Sequence, residues 1–78
     1  MNKIRKNRLE KILNEIETLR DEIGEIKDDE QEAFDNLPES IQCSERGEQM
    51  EMNVNDLDDI YDSLDTVACD LSDFLENC

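Results

Sequence analysis

The side chains best equipped for chemistry in this sequence are carboxylates. Asp56, Asp58, Asp59, Asp62, Asp65, Asp70, Asp73 and Glu76 crowd its C-terminal part, and Asp58, Asp62, Asp65, Asp73 and Glu76 recur at roughly helical spacing. Two carboxyl groups at a suitable separation can divide general acid and base work, or hold Ca²⁺. Both chemistries need a concave site that excludes water, which a chain of 78 residues with two Gly and one Pro has little material to build. Gly24 and Gly47 lack the flanking D-x-D spacing of a calcium loop. With no His, a histidine-dependent catalyst is excluded. Cys43, Cys69 and Cys78 lie 26 and 9 residues apart, with no CxxC pair to begin a zinc shell. The expectation is a protein that is not an enzyme and carries no metal or cofactor. Its odd number of cysteines fits reduced thiols in a cytoplasm.

Carboxylates can also act as a surface. Asp is a poor helix former, and solubility alone is served as well by Glu or a Glu/Lys mixture. A one-sign row of short carboxylates, about 5.4 Å apart along a helix axis, imitates a row of phosphates. Asp58, Asp59, Asp62, Asp65, Asp73 and Glu76 are therefore the candidate contact residues for a protein target with a basic surface. The whole chain supports that sign, with 8 Lys and Arg against 23 Asp and Glu and a net charge of -15. Its cations gather at the start: Lys3, Arg5, Lys6, Arg8 and Lys11 oppose Glu10 alone. That patch lacks interleaved aromatics, so direct nucleic-acid binding is not expected. No apolar run approaches the ~18 residues of a membrane span.

The elements that carry these residues follow from apolar spacing. Leu9, Ile12, Ile16, Leu19, Ile23 and Ile26 alternate steps of three and four, and so do Leu57, Ile60, Leu64, Val67, Leu71 and Phe74. These are heptad seams. On the first, Leu9, Ile16, Ile23, Glu30 and Leu37 occupy a positions, and Ile12, Leu19, Ile26 and Ala33 occupy d. On the second, Met50, Leu57, Leu64, Leu71 and Cys78 occupy a, and Asn53, Ile60, Val67 and Phe74 occupy d. Pro38 ends the first segment, Ser44 suits the N-cap of the second, and Pro38 to Gln42 has room for one short turn. The spacing predicts a helix over about 2–36, a connection over about 37–44 and a helix over about 45–76. Nothing reads as a strand. Leu, Ile, Val and Phe make up 19 of the 78 residues, just enough for folding rather than disorder.

Two helices of similar length joined tightly should fold back as an antiparallel coiled-coil hairpin. Facing each a with a d gives the layers Leu9/Phe74, Ile16/Val67, Leu19/Leu64 and Ile23/Ile60, whose numbers all add to 83. Glu30 and Asn53 then share one polar layer. The same topology sets Arg5, Arg8 and Lys11 near Glu76, Asp73 and Asp70, favouring antiparallel pairing. Leu13, Phe34, Val54, Tyr61, Ala68 and Leu75 fall on the e lines and form an apolar flank beside the seam. A stripe this wide predicts further cover, by a homodimeric four-helix arrangement or by a groove on a partner.

The run Asp28-Asp29-Glu30-Gln31-Glu32-Ala33-Phe34-Asp35-Asn36-Leu37-Pro38-Glu39-Ser40-Ile41-Gln42, continued by Ser44-Glu45-Arg46-Gly47-Glu48-Gln49-Met50, resembles the central segment of small acidic proteins encoded by bacteriophages and other mobile elements. The likeness covers roughly residues 25 to 65. It implies a phage-type accessory protein acting in a host bacterial cytoplasm, and it carries no catalytic residues. Small acidic phage proteins are similar, as a class, to inhibitors of host nucleic-acid enzymes and of CRISPR or other defence complexes. The function expected is inhibition of such a nucleoprotein by occupying its basic nucleic-acid-binding surface. The alternative is a structural or regulatory coiled-coil oligomer.

Overall fold

A computed structural model describes residues 1–78. The chain is all-helical, with 88% of its residues in helix and no strand. Helix α1 runs Lys3–Asp35, the single turn α2 Glu39–Gln42, and α3 Glu45–Glu76. The helices α1 and α3 pack along one another as an antiparallel pair, making a rod whose Cα extents are 59 × 14 × 13 Å.

Each end of α1 is built locally. The Asn2 side chain accepts from the Arg5 amide at 2.9 Å, satisfying one of the unpaired N–H groups of the first turn. At the other end the Gln42 amide donates to the carbonyls of Phe34, at 3.0 Å, and Asp35, at 3.5 Å, and the Phe34 carbonyl also accepts the Leu37 N–H at 3.0 Å in the turn that closes α1. Ser44 occupies the N-cap position of α3, but its side chain makes no cap hydrogen bond there. Its hydroxyl instead donates back to the Ile41 carbonyl. The connection is thus a compact knot rather than a slack loop, and Gly47 is buried against the Gln42 backbone.

That knot decides how α3 is rotated, and the seam differs from the a/d expectation. Ala68 and Leu75 are the buried apolar residues, and Leu13, Phe34, Val54 and Tyr61 are half-buried. All six lie on the e lines. The apolar d residues are the exposed ones, on α1 from Ile12 at 45% to Leu19 at 54% and Ile26 at 56%. On α3 they are Ile60 at 47%, Val67 at 50% and Phe74 at 48%. The hairpin therefore closes on its a and e lines, and the e-line flank expected on the outside is the inside. Gly47 is itself an e position. Because the connection presses on the backbone there, the e line of α3 has to face inward from the first turn onward.

The register shifts with the rotation. Arg20 with Asp65, Lys27 with Asp58, and Gly24 with Tyr61 are contacts whose numbers each add to 85, while Glu30 and Asn53 touch at 83. The a and e lines interleave between these values, setting Leu9 level with Leu75, Leu13 with Leu71, Ile16 with Ala68 and Ile23 with Tyr61. The layers Ile16/Val67, Leu19/Leu64 and Ile23/Ile60 do not form the seam. Two cations lie on the buried line of α1, Arg20 and Lys27. Their alkyl stems lie along the seam while the charged ends reach out to α3.

Candidate contact faces

Heptad positions sort the surface into faces, because each residue of an α-helix turns by about 100°. With the seam centred between a and e, the b and d lines are its two flanks, c points straight away, and f and g point outward beyond b and d respectively. In an antiparallel pair like-lettered flanks share a side. One shallow hollow is lined by Gln31 and Phe34 of α1 with Glu51 and Val54 of α3, another by Glu17 and Arg20 with Ala68 and Ser72, so the two b lines do adjoin. The two d lines consequently form the opposite side.

On the b side two acids of α3, Asp58 and Asp65, are already engaged. Asp65 accepts from Arg20 Nη1 at 2.8 Å and Asp58 from Lys27 Nζ at 3.1 Å. Arg20 also donates to Asp21 from Nε and Nη2, and its guanidinium carbon sits 5.9 Å from the centre of the Tyr61 ring. The Arg20 side chain is only 18% exposed and that of Lys27 28%. The hydrogen bond that Arg20 donates to Asp21 first, and the one it donates to Asp65 further, raise the pKa of Arg20 above its ordinary value. The hydrogen bond and charge of Asp58 likewise raise that of Lys27. Tyr61 packs its ring against Gly24, the one place on α1 where the absent side chain admits it.

The six sequence candidates for target contact therefore divide. Asp58 and Asp65 belong to this intramolecular network, whereas Asp59, Asp62, Asp73 and Glu76 lie on the c and f lines, exposed and without an ion pair. The outward row is two carboxylate pairs rather than a carboxylate per turn, with Thr66 and Cys69 between them. The pairs are two heptads apart, about 21 Å. Arg5, Arg8 and Lys11 form no ion pair with Asp70, Asp73 and Glu76. The rotation explains it: Lys11 and Asp73 both take c positions and point away from the seam. The basic start of α1 is free.

Glu30 and Asn53 do meet, with Asn53 Nδ2 donating to Glu30 Oε2 at 3.4 Å and Gln49 donating to Asn53 at 3.0 Å. Cys43, Cys69 and Cys78 are exposed, free thiols. No group of three or more Cys, Asp or Glu side chains is arranged to hold a metal ion. The largest hollow, about 240 Å³, is open and lies at the N-terminal end between Met1, Arg5, Arg8, Leu9 and Ile12. It is smaller than the roughly 300 Å³ at which small-molecule sites begin. No helix is long and apolar enough to cross a membrane.

Sequence reasoning missed the b-side network and the exposed d face. The signal for both was the e line of α1, where Arg20 and Lys27 stand a heptad apart and Asp58 and Asp65 show the same spacing on the b line of α3. No protein-family model, no curated protein and no solved structure matches this chain.

Proposed function

We propose that this protein is a phage-type inhibitor that occupies a basic nucleic-acid-binding surface of a host or defence nucleoprotein, such as a CRISPR complex, in the bacterial cytoplasm. The observation that carries the reading is its linear charge. A net -15 along 59 Å is one charge per about 4 Å, close to the about 3.4 Å per phosphate of a nucleic-acid strand. The outward pairs Asp59/Asp62 and Asp73/Glu76 supply unpaired carboxylates on the face of α3 turned away from α1. A channel lined with Lys and Arg would attract such a rod over long range and bind it in a salt-dependent way. The rod performs no chemistry in this reading. It acts by taking the place of a strand.

The test is competition. The chain is immobilised and exposed to lysate of a bacterium that phages infect, and the retained proteins are challenged with a short single-stranded DNA. The reading expects nucleic-acid-binding proteins to be retained and then released by the DNA. A chain carrying Asp59→Asn, Asp62→Asn, Asp73→Asn and Glu76→Gln should retain far less of them. Retention that excess DNA leaves untouched, or that the fourfold variant preserves, would refute it.

A further inference from the structure

We infer that the exposed d side of the hairpin is a groove for a basic amphipathic helix of a partner protein. Its floor is six apolar side chains, Ile12, Leu19 and Ile26 of α1 with Phe74, Val67 and Ile60 of α3. They pair along the rod, since 12 with 74, 19 with 67 and 26 with 60 all add to 86, two more than the seam pairs. The stripe extends about 21 Å, the length of some 14 helical residues. A hairpin of two helices can bury two heptad lines on each helix, and this sequence has three.

The exposure is unusual for so small a chain. Its accessible surface is 5798 Å², whereas a compact monomer of 9.1 kDa shows about 4,900 Å². Half-exposed side chains of this size each offer on the order of 90 Å². Covering all six removes about 500 Å² here and a like area from the partner, about 1,000 Å² together, the size at which specific interfaces begin.

Charge selects the occupant. The g lines form the rims of the groove, carrying Glu15, Glu22 and Asp29 on α1 and Asp56 and Asp70 on α3, all exposed. The one base on either rim is Arg8, beyond the end of the stripe. An apolar floor between two acidic rims fits a helix whose apolar stripe is bordered by Lys and Arg, the helix-in-groove mode of recognition. A second copy would bring the same five acids against these, and another net -15 with them. The groove lies on a different side from the Asp59 to Glu76 row, so either surface can fail alone.

The probe is a synthetic helical peptide of three heptads, with Leu at a and d, Lys at e and g, and Ala elsewhere. Its control is an isomer of the same composition with the Leu residues spread around the helix. At physiological salt the striped peptide should bind one per chain, at least tenfold tighter than the isomer. The double variant Leu19→Gln, Ile60→Gln should lose at least tenfold in affinity while keeping the parent's circular dichroism and melting curve, because both residues lie outside the seam. The fourfold variant of the outward row should retain the stripe preference. Equal binding of the two peptides would reduce the effect to charge and overturn the groove, and so would parental affinity in the double variant. Sedimentation showing the chain alone to be a dimer, dispersed to monomer by the double variant, would assign the face to a second copy instead.

Discussion

Replacing Gly47 with Ala sets two effects of known sign against each other. Gly costs up to about 1 kcal/mol relative to Ala in a helix, the full amount only in the interior and less in the first turn where Gly47 lies, so propensity alone makes the substitution stabilising. The site has no room for it. A Cβ at Gly47 would lie 2.5 Å from the carbonyl carbon and 2.6 Å from the Cα of Gln42, and closer still to its carbonyl oxygen. These are backbone atoms, held by the Gln42 amide on the end of α1 and by the Gln42 N–H bond to the Pro38 carbonyl. Relief requires α3 to move off the connection, an overpacking cost of roughly 1 to 3 kcal/mol, to which loss of the Gln42 cap adds about 1. The net expectation is destabilisation by about 1 to 3 kcal/mol, a fall in melting temperature of roughly 5 to 20 °C for a domain of this size. Gly24 is the internal control. There the obstacle is the Tyr61 ring at 3.1 and 3.3 Å, a side chain that can yield by a few tenths of an ångström. Gly24→Ala should be neutral or stabilising by up to about 1 kcal/mol. Thermal melts followed by circular dichroism read both. A Gly47→Ala chain that melts at or above the parent would show that the connection does not press on α3, and the reason given for its rotation would fall.

Two further outcomes follow from the rotated seam. Leu64→Ala should cost about 2 kcal/mol, because Leu64 lies on the seam, whereas Leu19→Ala at the exposed d position should stay within about 0.5 kcal/mol; equal losses in denaturant titrations would restore the a/d pairing of these two residues. The Lys27 pair with Asp58 raises the folded-state pKa of Lys27, so its contribution is fully present below the ordinary lysine range and is lost as pH rises through the folded value. The gap in melting temperature between the parent and Lys27→Met should therefore hold at neutral pH and narrow in strong alkali; a gap that persists there unchanged would assign the effect to the alkyl stem rather than the charge.

Much of the architecture was legible because heptad spacing and a single Pro leave few choices. Steps of three and four from Leu9 to Ile26 and from Leu57 to Phe74 define two helices, and Pro38 places the reversal between them. The rotation was not legible by the same means. An a/d and an a/e seam share the a line, and a count of apolar residues favours d on α1, where the e line is broken by Arg20 and Lys27. Those cations are tolerated inside because long stems can snorkel and because Asp58 and Asp65 receive their charges, a pairing that becomes visible only when e and b are set side by side. The tie is broken at Gly47 by steric contact with a connection whose shape no periodicity encodes. The candidate site inherited the error. Asp58 and Asp65 looked outward on an a/d seam, and one step of rotation turns them to the flank and leaves Asp59, Asp62, Asp73 and Glu76 outside.

The most direct test of the rotated seam is a pair of double-cysteine variants in a chain whose Cys43, Cys69 and Cys78 are replaced by Ser. The structure sets Ile16 level with Ala68 across the seam, while Val67 points to the exposed flank, so Ile16→Cys with Ala68→Cys should oxidise to an intramolecular disulfide in a fully helical monomer. Ile16→Cys with Val67→Cys should remain reduced under the same mild oxidant. Efficient bridging in the Ile16→Cys, Val67→Cys variant, with none in the Ile16→Cys, Ala68→Cys variant, would return the d line to the interior and remove the apolar groove with it.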